Sequence, residues 1–356
     1  MRITVLAGGV GGARFIRGLR HYLDHSGQAW NPQTGEGTHV TVIGNTGDDI
    51  TLFGLRVCPD LDTLLYTLGG SVHEGQGWGR DDESFRAQSE LRALGVEPQW
   101  FGLGDHDMGT HLARSQWLAQ GLTLSEVTAR LAHRWGLPAS GVTLLPATDV
   151  PIETHVVITD DTDTGSDTDG DPDAERAVHF QQWWVQMRAG VPAKRFVVAG
   201  LSSATAAPGV LAAIREADVV ILPPSNPVVS IGIITGVPGV RDALRGTRAP
   251  VVGVSPIING APVRGHADAC LAPLGVPVTA AGVAGLYRDF LNGWLVDTHD
   301  APASGEATKA GPSYGRGASG SPLSVRALDL HMRDVESAAT IAGASLDLAA
   351  SLTVPS

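Results

Sequence analysis

The sequence predicts an α/β fold: a Rossmann-like, mostly parallel sheet with helices on both faces, plus a helical cap or insertion. Three observations carry this expectation. An apolar run, Ile3 to Ala7, enters a glycine stretch and then a helix-spaced segment, the opening of a βαβ unit. Short strands and helices alternate again from Phe196 to Val254. Between these two regions, roughly 61 to 136 carries helical spacing alone.

The elements follow in order. Gly8 to Gly12 reads as a loop, and Ala13 to Tyr22 as a helix with Phe15, Ile16 and Leu19 on one side. Val40 to Ile43 is the second strand and ends in Asn45-Thr46-Gly47-Asp48-Asp49. Leu61 to Leu68, Glu83 to Leu94, His111 to Ala119 and Ser125 to Trp135 are expected helices, a cap of the kind that closes a site. Thr154 to Thr159 and Ala177 to Phe180 alternate as strands around an acidic stretch, a hairpin with an oversized polar loop. Strand Phe196 to Ala199, helix Gly209 to Glu216, strand Val219 to Leu222, helix Val240 to Arg245 and strand Val251 to Val254 continue the α/β pattern. Val325 to Leu330 and Val335 to Ala350 supply a last strand and helix. The expected organisation is an α/β core of 1–60 and 137–299, a helical insertion at 61–136, a Gly/Ser/Ala/Pro-rich flexible linker at 300–322, and a returning strand and helix at 323–356.

Composition narrows the function. With 43% hydrophobic and 17% charged residues, the chain has a globular balance. The formal net charge of −12 argues against a nucleic-acid binder or an anionic-membrane binder. Eight of the acids lie between Asp160 and Glu175 with no base among them, a solvated excursion in preference to a calcium site. Only two of the 25 basic residues are lysines, Lys194 and Lys309, and neither follows a glycine-rich loop, which excludes a Walker A phosphate loop. Cys58 and Cys270 form no CxxC pair, which fits a reducing compartment and excludes a cysteine-based structural zinc site. The apolar start is too short for a signal peptide or membrane span, so a cytoplasmic protein is expected.

Three segments carry candidate chemistry. Gly8-Gly9-Val10-Gly11-Gly12-Ala13-Arg14 sits between a strand and a helix, where glycines let the backbone approach a phosphate and the helix start attracts the anion. GxGxxG is not met, because from Gly9 its third glycine would fall on Arg14, which weakens an NAD reading. The same glycines also suit a tight strand-to-helix turn. Asp48, Asp49, Asp60 and Asp62 gather after strand two and at the next helix start; two such acids, with substrate phosphates and water, suffice for magnesium, although helix capping and turns account for them equally. Pro223-Pro224-Ser225-Asn226-Pro227, with Ser230-Ile231-Gly232, follows a strand where open α/β sheets bind ligands.

Other residues carry blander readings. Gly104-Asp105-His106-Asp107 reads as a turn and cap before a metal site, His155 as a packed strand residue, and Trp183-Trp184 as core or hairpin cover. No GxSxG elbow is present.

Taken in order, these strings resemble one family. Besides the glycine run and Asn45 to Asp49, they include Cys58-Pro59-Asp60-Leu61-Asp62-Thr63, Tyr66-Thr67-Leu68-Gly69-Gly70 and Gly77-Trp78-Gly79-Arg80. Trp100-Phe101-Gly102-Leu103-Gly104-Asp105, Pro224-Ser225-Asn226-Pro227 and Ser255-Pro256-Ile257-Ile258 extend the likeness over most of residues 1 to 297. The chain resembles the 2-phospho-L-lactate transferases of deazaflavin coenzyme F-420 biosynthesis, whose actinobacterial members are phosphoenolpyruvate transferases. The resemblance implies transfer of a phosphoenolpyruvyl or 2-phospho-L-lactyl group from a guanosine diphosphate ester to the ribityl hydroxyl of 7,8-didemethyl-8-hydroxy-5-deazariboflavin, releasing GMP. It implies Mg2+ as cofactor, with Asp48 and Asp62 matching the family's metal and catalytic carboxylates. By the same resemblance, Gly9, Gly11, Gly12, Ser225, Asn226 and Ser230 match guanine-nucleotide-binding segments, Asp49 and Asp60 are supporting acids, and the protein is a homodimer. No dedicated general base is evident; the hydroxyl's proton would pass to Asp48 or to water. The expected donor is the enolpyruvyl ester.

Two rivals remain open at this level. A non-catalytic nucleotide-sugar-binding regulator of the gluconeogenesis-factor type shares the glycine loop and α/β body and would not need Asp48 and Asp62. An NAD-dependent oxidoreductase would place Asp48 or Asp49 on ribose hydroxyls.

Overall fold

A computed structural model describes residues 1–159, 174–301, 314–315, 317–318, 320 and 322–353. Residues 160–173 of the acidic stretch and the centre of the 300–322 linker thus lie outside the described residues. The chain opens with β1 (Arg2–Ala7), α1 (Gly9–His25) and β2 (His39–Gly44), followed by the hairpin β3 (Ile50–Leu52) and β4 (Leu55–Val57). Four helices come next: α2 (Pro59–Leu68), α3 (Arg86–Ala93), α4 (Asp105–Ala119) and α5 (Leu124–Arg134). The chain then makes β5 (Val142–Pro146), β6 (Glu153–Thr159), β7 (Glu175–His179) and β8 (Arg195–Ala199). After α6 (Val210–Arg215) come β9 (Val219–Leu222), α7 (Ile231–Gly236), α8 (Val240–Gly246) and β10 (Val251–Val254). A small hairpin, β11 (Ile257–Ile258) and β12 (Ala261–Pro262), precedes α9 (Ala267–Leu271) and α10 (Ala280–Leu286). The last elements are β13 (Gly293–Asp297), β14 (Ser324–Leu328) and α11 (Val335–Thr353).

Seven strands form one sheet in the order β14-β13-β10-β9-β1-β2-β5, with every pairing parallel. Its central strands are buried along almost their whole length, as a sheet covered on both faces requires. Alternation splits them between two cores. Ile3, Val5 and Ala7 face the core shared with α1, α2, α5 and α11, whereas Leu6 faces the one shared with α6, α7, α8 and α10. The expected α/β sheet with helices on both faces is therefore the observed architecture. Its order reverses at β1, because β2 and β5 extend to one side and β9, β10, β13 and β14 to the other.

The expected elements shift in four places. The helix expected at Ala13 already starts at Gly9: Gly9 takes a left-handed φ of 66°, and its N–H is accepted by Asp60, fifty-one residues away, so no local cap announces the helix. Phe196 to Ala199 does not join the parallel sheet. It lies in β8, which pairs antiparallel with β6 in the three-stranded sheet β7-β6-β8. A short apolar run cannot show which sheet it joins. Strands β5 and β13, absent from the sequence reading, complete the large sheet. Of the four helices expected as a cap, α2 and α5 bury Leu61, Leu64, Leu65, Leu124, Val127 and Leu131 in the sheet's own core and so cover it directly.

The final strand and helix return to the core. β14 pairs with β13, and α11 crosses α1 so closely that a Cβ on Gly18 would lie 2.5 Å from the Ala338 backbone, and one on Gly343 2.5 Å from the Tyr22 ring. Trp183 is fully buried beneath the small sheet, where it donates to Val191 O at 2.7 Å; it is core and not a stacking platform. No helix among the described residues is long and apolar enough to cross a membrane.

Candidate active site at the sheet switch point

The reversal of strand order opens a crevice at the carboxyl ends of β1 and β9, where doubly wound sheets hold ligands. The glycine turn follows β1, and Pro223 to Ser230 follows β9. Here they interlock. Ser225 Oγ donates to Gly8 O at 2.8 Å and accepts from Gly8 N at 3.2 Å. A Cβ at Gly11 would strike Pro224 O, one at Gly12 would lie 2.7 Å from Ser225 Oγ, and one at Gly8 would strike Asp60 Oδ2 and meet Ser230. The glycines therefore admit the 223–230 loop and Asp60 against the turn.

Asn226 shapes that loop from within, its Oδ1 accepting Val228 N at 2.9 Å and Val229 N at 3.2 Å. Of the expected nucleotide residues, Gly11, Gly12, Ser225 and Ser230 all meet at this junction together with Gly9, and Asn226 turns the backbone that brings Ser230 there.

Asn45 joins the acids to this junction. Its fully buried amide donates to Asp60 Oδ2 at 2.9 Å, Asp48 Oδ1 at 3.3 Å and Val229 O at 3.0 Å, and its Oδ1 accepts Gly47 N at 3.0 Å. Asp48 and Asp60 thus lie side by side. Burial, reinforced by Asp60 and Asp49, holds the Asp48 carboxyl well above its usual range, against the Asn45 hydrogen bond. Burial likewise raises Asp60 to about 6, against bonds from Asn45 and Gly9. Asp49 is raised to about 7 by burial, with Arg56 at 3.6 Å and the Cys58 thiol, which donates at 3.1 Å, opposing it.

Asp62, expected beside Asp48 as a metal carboxylate, is engaged elsewhere. Both of its oxygens accept from the Arg114 guanidinium, which is 1% exposed. Burial alone would lower Arg114, but the Asp62 charge holds it above its ordinary value. Arg114 also donates to Arg56 O at 3.2 Å and sits 3.1 Å from His111 Nδ1. His111 Nε2 lies 3.3 Å from Asp107, and Asp107 accepts from the Tyr66 hydroxyl at 2.5 Å. Asp48 is thus grouped with Asp60 through Asn45, while Asp62 ties α2 to α4 and, with Asp107 and His111, forms a second group whose ligand atoms lie within 4.8 Å of one another.

The donor set fits magnesium at Asp48 and Asp60. Both are carboxylates and a hard cation takes oxygen ligands; burial raises both, and for Asp48 the neighbouring Asp60 and Asp49 add to it. Asp49 Oδ1 is buried with no partner, a further uncompensated oxygen in the same cluster. Asp105, expected as a turn and cap, accepts from Arg86 N and Ala87 N at 3.1 Å each at the start of α3. His155 stands in β6 against the His179 ring, a packed strand residue as expected.

Asn45, Arg114 and Arg56 escaped the sequence reading as site residues. Asn45 stood within a recognised string, and its amide type beside two aspartates was the available signal; Arg114 carried none, since its partner lies 52 residues away.

A parallel sheet whose order reverses at β1, with a buried acidic cluster at the start of its first helix, is a ligand-binding arrangement of the doubly wound α/β class. Residues 3–315 match the family model described as 2-phospho-L-lactate transferase CofD. The phosphoenolpyruvate transferase of Thermobifida fusca is 55% identical over 353 residues, covering 99% of each chain. That of Kitasatospora aureofaciens is 52% identical over 350 residues and covers 98% of each. A solved Bacillus halodurans protein of the UPF0052 family shares the fold, at TM-score 0.56 and 17% identity, covering 97% of this chain and 98% of its own. The chain belongs to the CofD family of 2-phospho-L-lactate transferases and is a transferase of coenzyme F-420 biosynthesis. The non-catalytic binding alternative is not favoured.

Proposed function

We propose that this transferase moves a phosphoenolpyruvyl group from a guanosine diphosphate ester to the terminal ribityl hydroxyl of 7,8-didemethyl-8-hydroxy-5-deazariboflavin, releasing GMP. The observation that carries the reading is whole-length identity of 50% and more to proteins named phosphoenolpyruvate transferase. The hydroxyl oxygen forms a bond to the distal phosphorus as its proton passes to Asp48 or to water, and the bond from that phosphorus to the bridging oxygen breaks, leaving the oxygen on GMP. Gly9, Gly11, Gly12, Ser225, Asn226 and Ser230 shape the nucleotide end of the crevice. Asp48 and Asp60 would hold magnesium, which when bound supplies positive charge against the diphosphate. Asn45 fixes the spacing of these two carboxylates, and Arg114 with Asp62 fixes the α2 start from which Asp60 projects. Water exclusion and in-line positioning then do most of the catalytic work, and no covalent enzyme intermediate is needed.

The same reading makes the protein a cytoplasmic homodimer, which sedimentation in the presence of both substrates tests. The reaction is tested with the deazaflavin acceptor and either enolpyruvyl or lactyl guanosine diphosphate, following product mass and GMP. Faster product formation from the enolpyruvyl donor is expected. Product from the lactyl donor alone would overturn the choice of acid, and binding of NAD without GDP would overturn the nucleotide.

A further inference from the structure

A group of arginines stands beside the glycine turn, and the reaction scheme above leaves it without a role. Arg14 lies in the first turns of α1, and helical side chains lean back toward the helix N-terminus, so its guanidinium is carried toward the switch-point crevice. The 73–79 loop lies over it: a Cβ at Gly77 would sit 2.7 Å from Val10 Cγ1 and 3.4 Å from Arg14 Nη2. From the opposite side Arg264, which follows the β11-β12 hairpin, donates to Gln76 O at 3.4 Å on the same loop. Arg17, one turn further along α1, donates to Glu74 at 2.6 Å.

Three guanidinium groups from two segments, α1 and the turn after β12, thus converge on one loop, with a single carboxylate, Glu74, engaged by Arg17. Among the described residues Arg14 has no hydrogen bond and no ion pair, although it is partly buried. Burial, then Arg264 and Arg17, press its guanidinium below the ordinary arginine range, and Glu74 opposes them only in part.

Resting on the function proposed above, we infer that Arg14, assisted by Arg264, forms a specificity-determining subsite for an oxyanion at the distal end of the donor. A guanidinium fork matches either a phosphate or a carboxylate bidentately, and the donor offers both: its distal phosphate and the carboxylate of its three-carbon acid. Both the subsite and the acidic cluster are tied to α1, Arg14 being carried on it and Asp60 accepting from Gly9 N at its start, so one donor can meet both.

The test uses the full-length protein and its Arg14→Gln, Arg14→Lys and Arg14→Gln/Arg264→Gln variants. Donor and acceptor KM are measured, together with calorimetric binding of GMP, GDP, pyrophosphate and phosphoenolpyruvate. Loss of a charge-assisted bidentate contact is expected to raise donor KM about tenfold to a hundredfold in Arg14→Gln, with acceptor KM unchanged and partial recovery in Arg14→Lys. Weakened GDP and pyrophosphate binding with GMP unaffected assigns the distal phosphate. A raised KM for the ester donor and weakened phosphoenolpyruvate binding, with GDP unaffected, assigns the carboxylate. Donor KM and all four affinities within about twofold of wild type in the double variant would overturn the subsite. If the wild-type protein turned over neither guanosine donor, the proposed reaction would fall, and the pyrophosphate and phosphoenolpyruvate arms would still decide the subsite.

Discussion

Asn45 engages four partners from three segments with its one amide, and each of them is buried. Asn45→Ala should cost about 2–4 kcal/mol, because Asp48, Asp60 and Val229 O would all lose a buried bond. Urea unfolding checks this, and a loss below about 1 kcal/mol would contradict the role. The acids also set a pH dependence. Asp49 is raised from 3.8 to about 7 and Asp60 from 3.8 to about 6, so each holds its proton more tightly in the folded chain. Their contribution to stability is complete below about pH 4 and is lost as pH rises to about 7. Magnesium offsets that loss only where the acids are ionised, so its upward shift of Tm over an EDTA control should be larger at pH 8 than at pH 5; equal shifts at both would contradict the cluster as the cation site. The carboxylates were legible because four acids crowd two short strings. Their grouping was not, since Asn45 joins Asp48 to Asp60 through space and Arg114 pairs with Asp62 across 52 residues.

At the scale of elements, the first helix depends on contacts made far along the chain. Its start leans on Asp60 and the 223–230 loop, and its middle on α11. Gly18→Val would push side-chain carbons into the Ala338 backbone and should cost about 2–4 kcal/mol in urea unfolding, while Gly27→Ala, in open space, should cost far less despite its left-handed φ. Equal losses would show that the α1-α11 contact is loose. The glycine run was legible as a strand-to-helix turn, but its spacing could not reveal that Pro224 and Ser225 occupy the room those glycines leave. β8 was misplaced for a related reason: a short apolar run looks alike in an antiparallel edge and a parallel sheet.

Over the whole molecule, the parallel order β14-β13-β10-β9-β1-β2-β5 turns separate sequence strings into one crevice. Gly8 and Ser225 are 217 residues apart yet share two hydrogen bonds, because β1 and β9 are neighbours where the strand order reverses. Alternating strands and helices made that sheet readable from the chain; the order of its strands came only from the pairing. The central claim is that Asp48 and Asp60 form the magnesium-dependent centre and Asp62 serves as a structural anchor. The most direct measurement is GMP release against magnesium concentration for wild type, Asp48→Asn, Asp60→Asn and Asp62→Asn, with the unfolding midpoint of each. Asp48→Asn and Asp60→Asn should lose activity and need more magnesium while remaining folded, and Asp62→Asn should lower the unfolding midpoint by leaving Arg114 buried without its counter-charge. A normal magnesium requirement in Asp60→Asn, together with a raised one in a stably folded Asp62→Asn, would contradict the account.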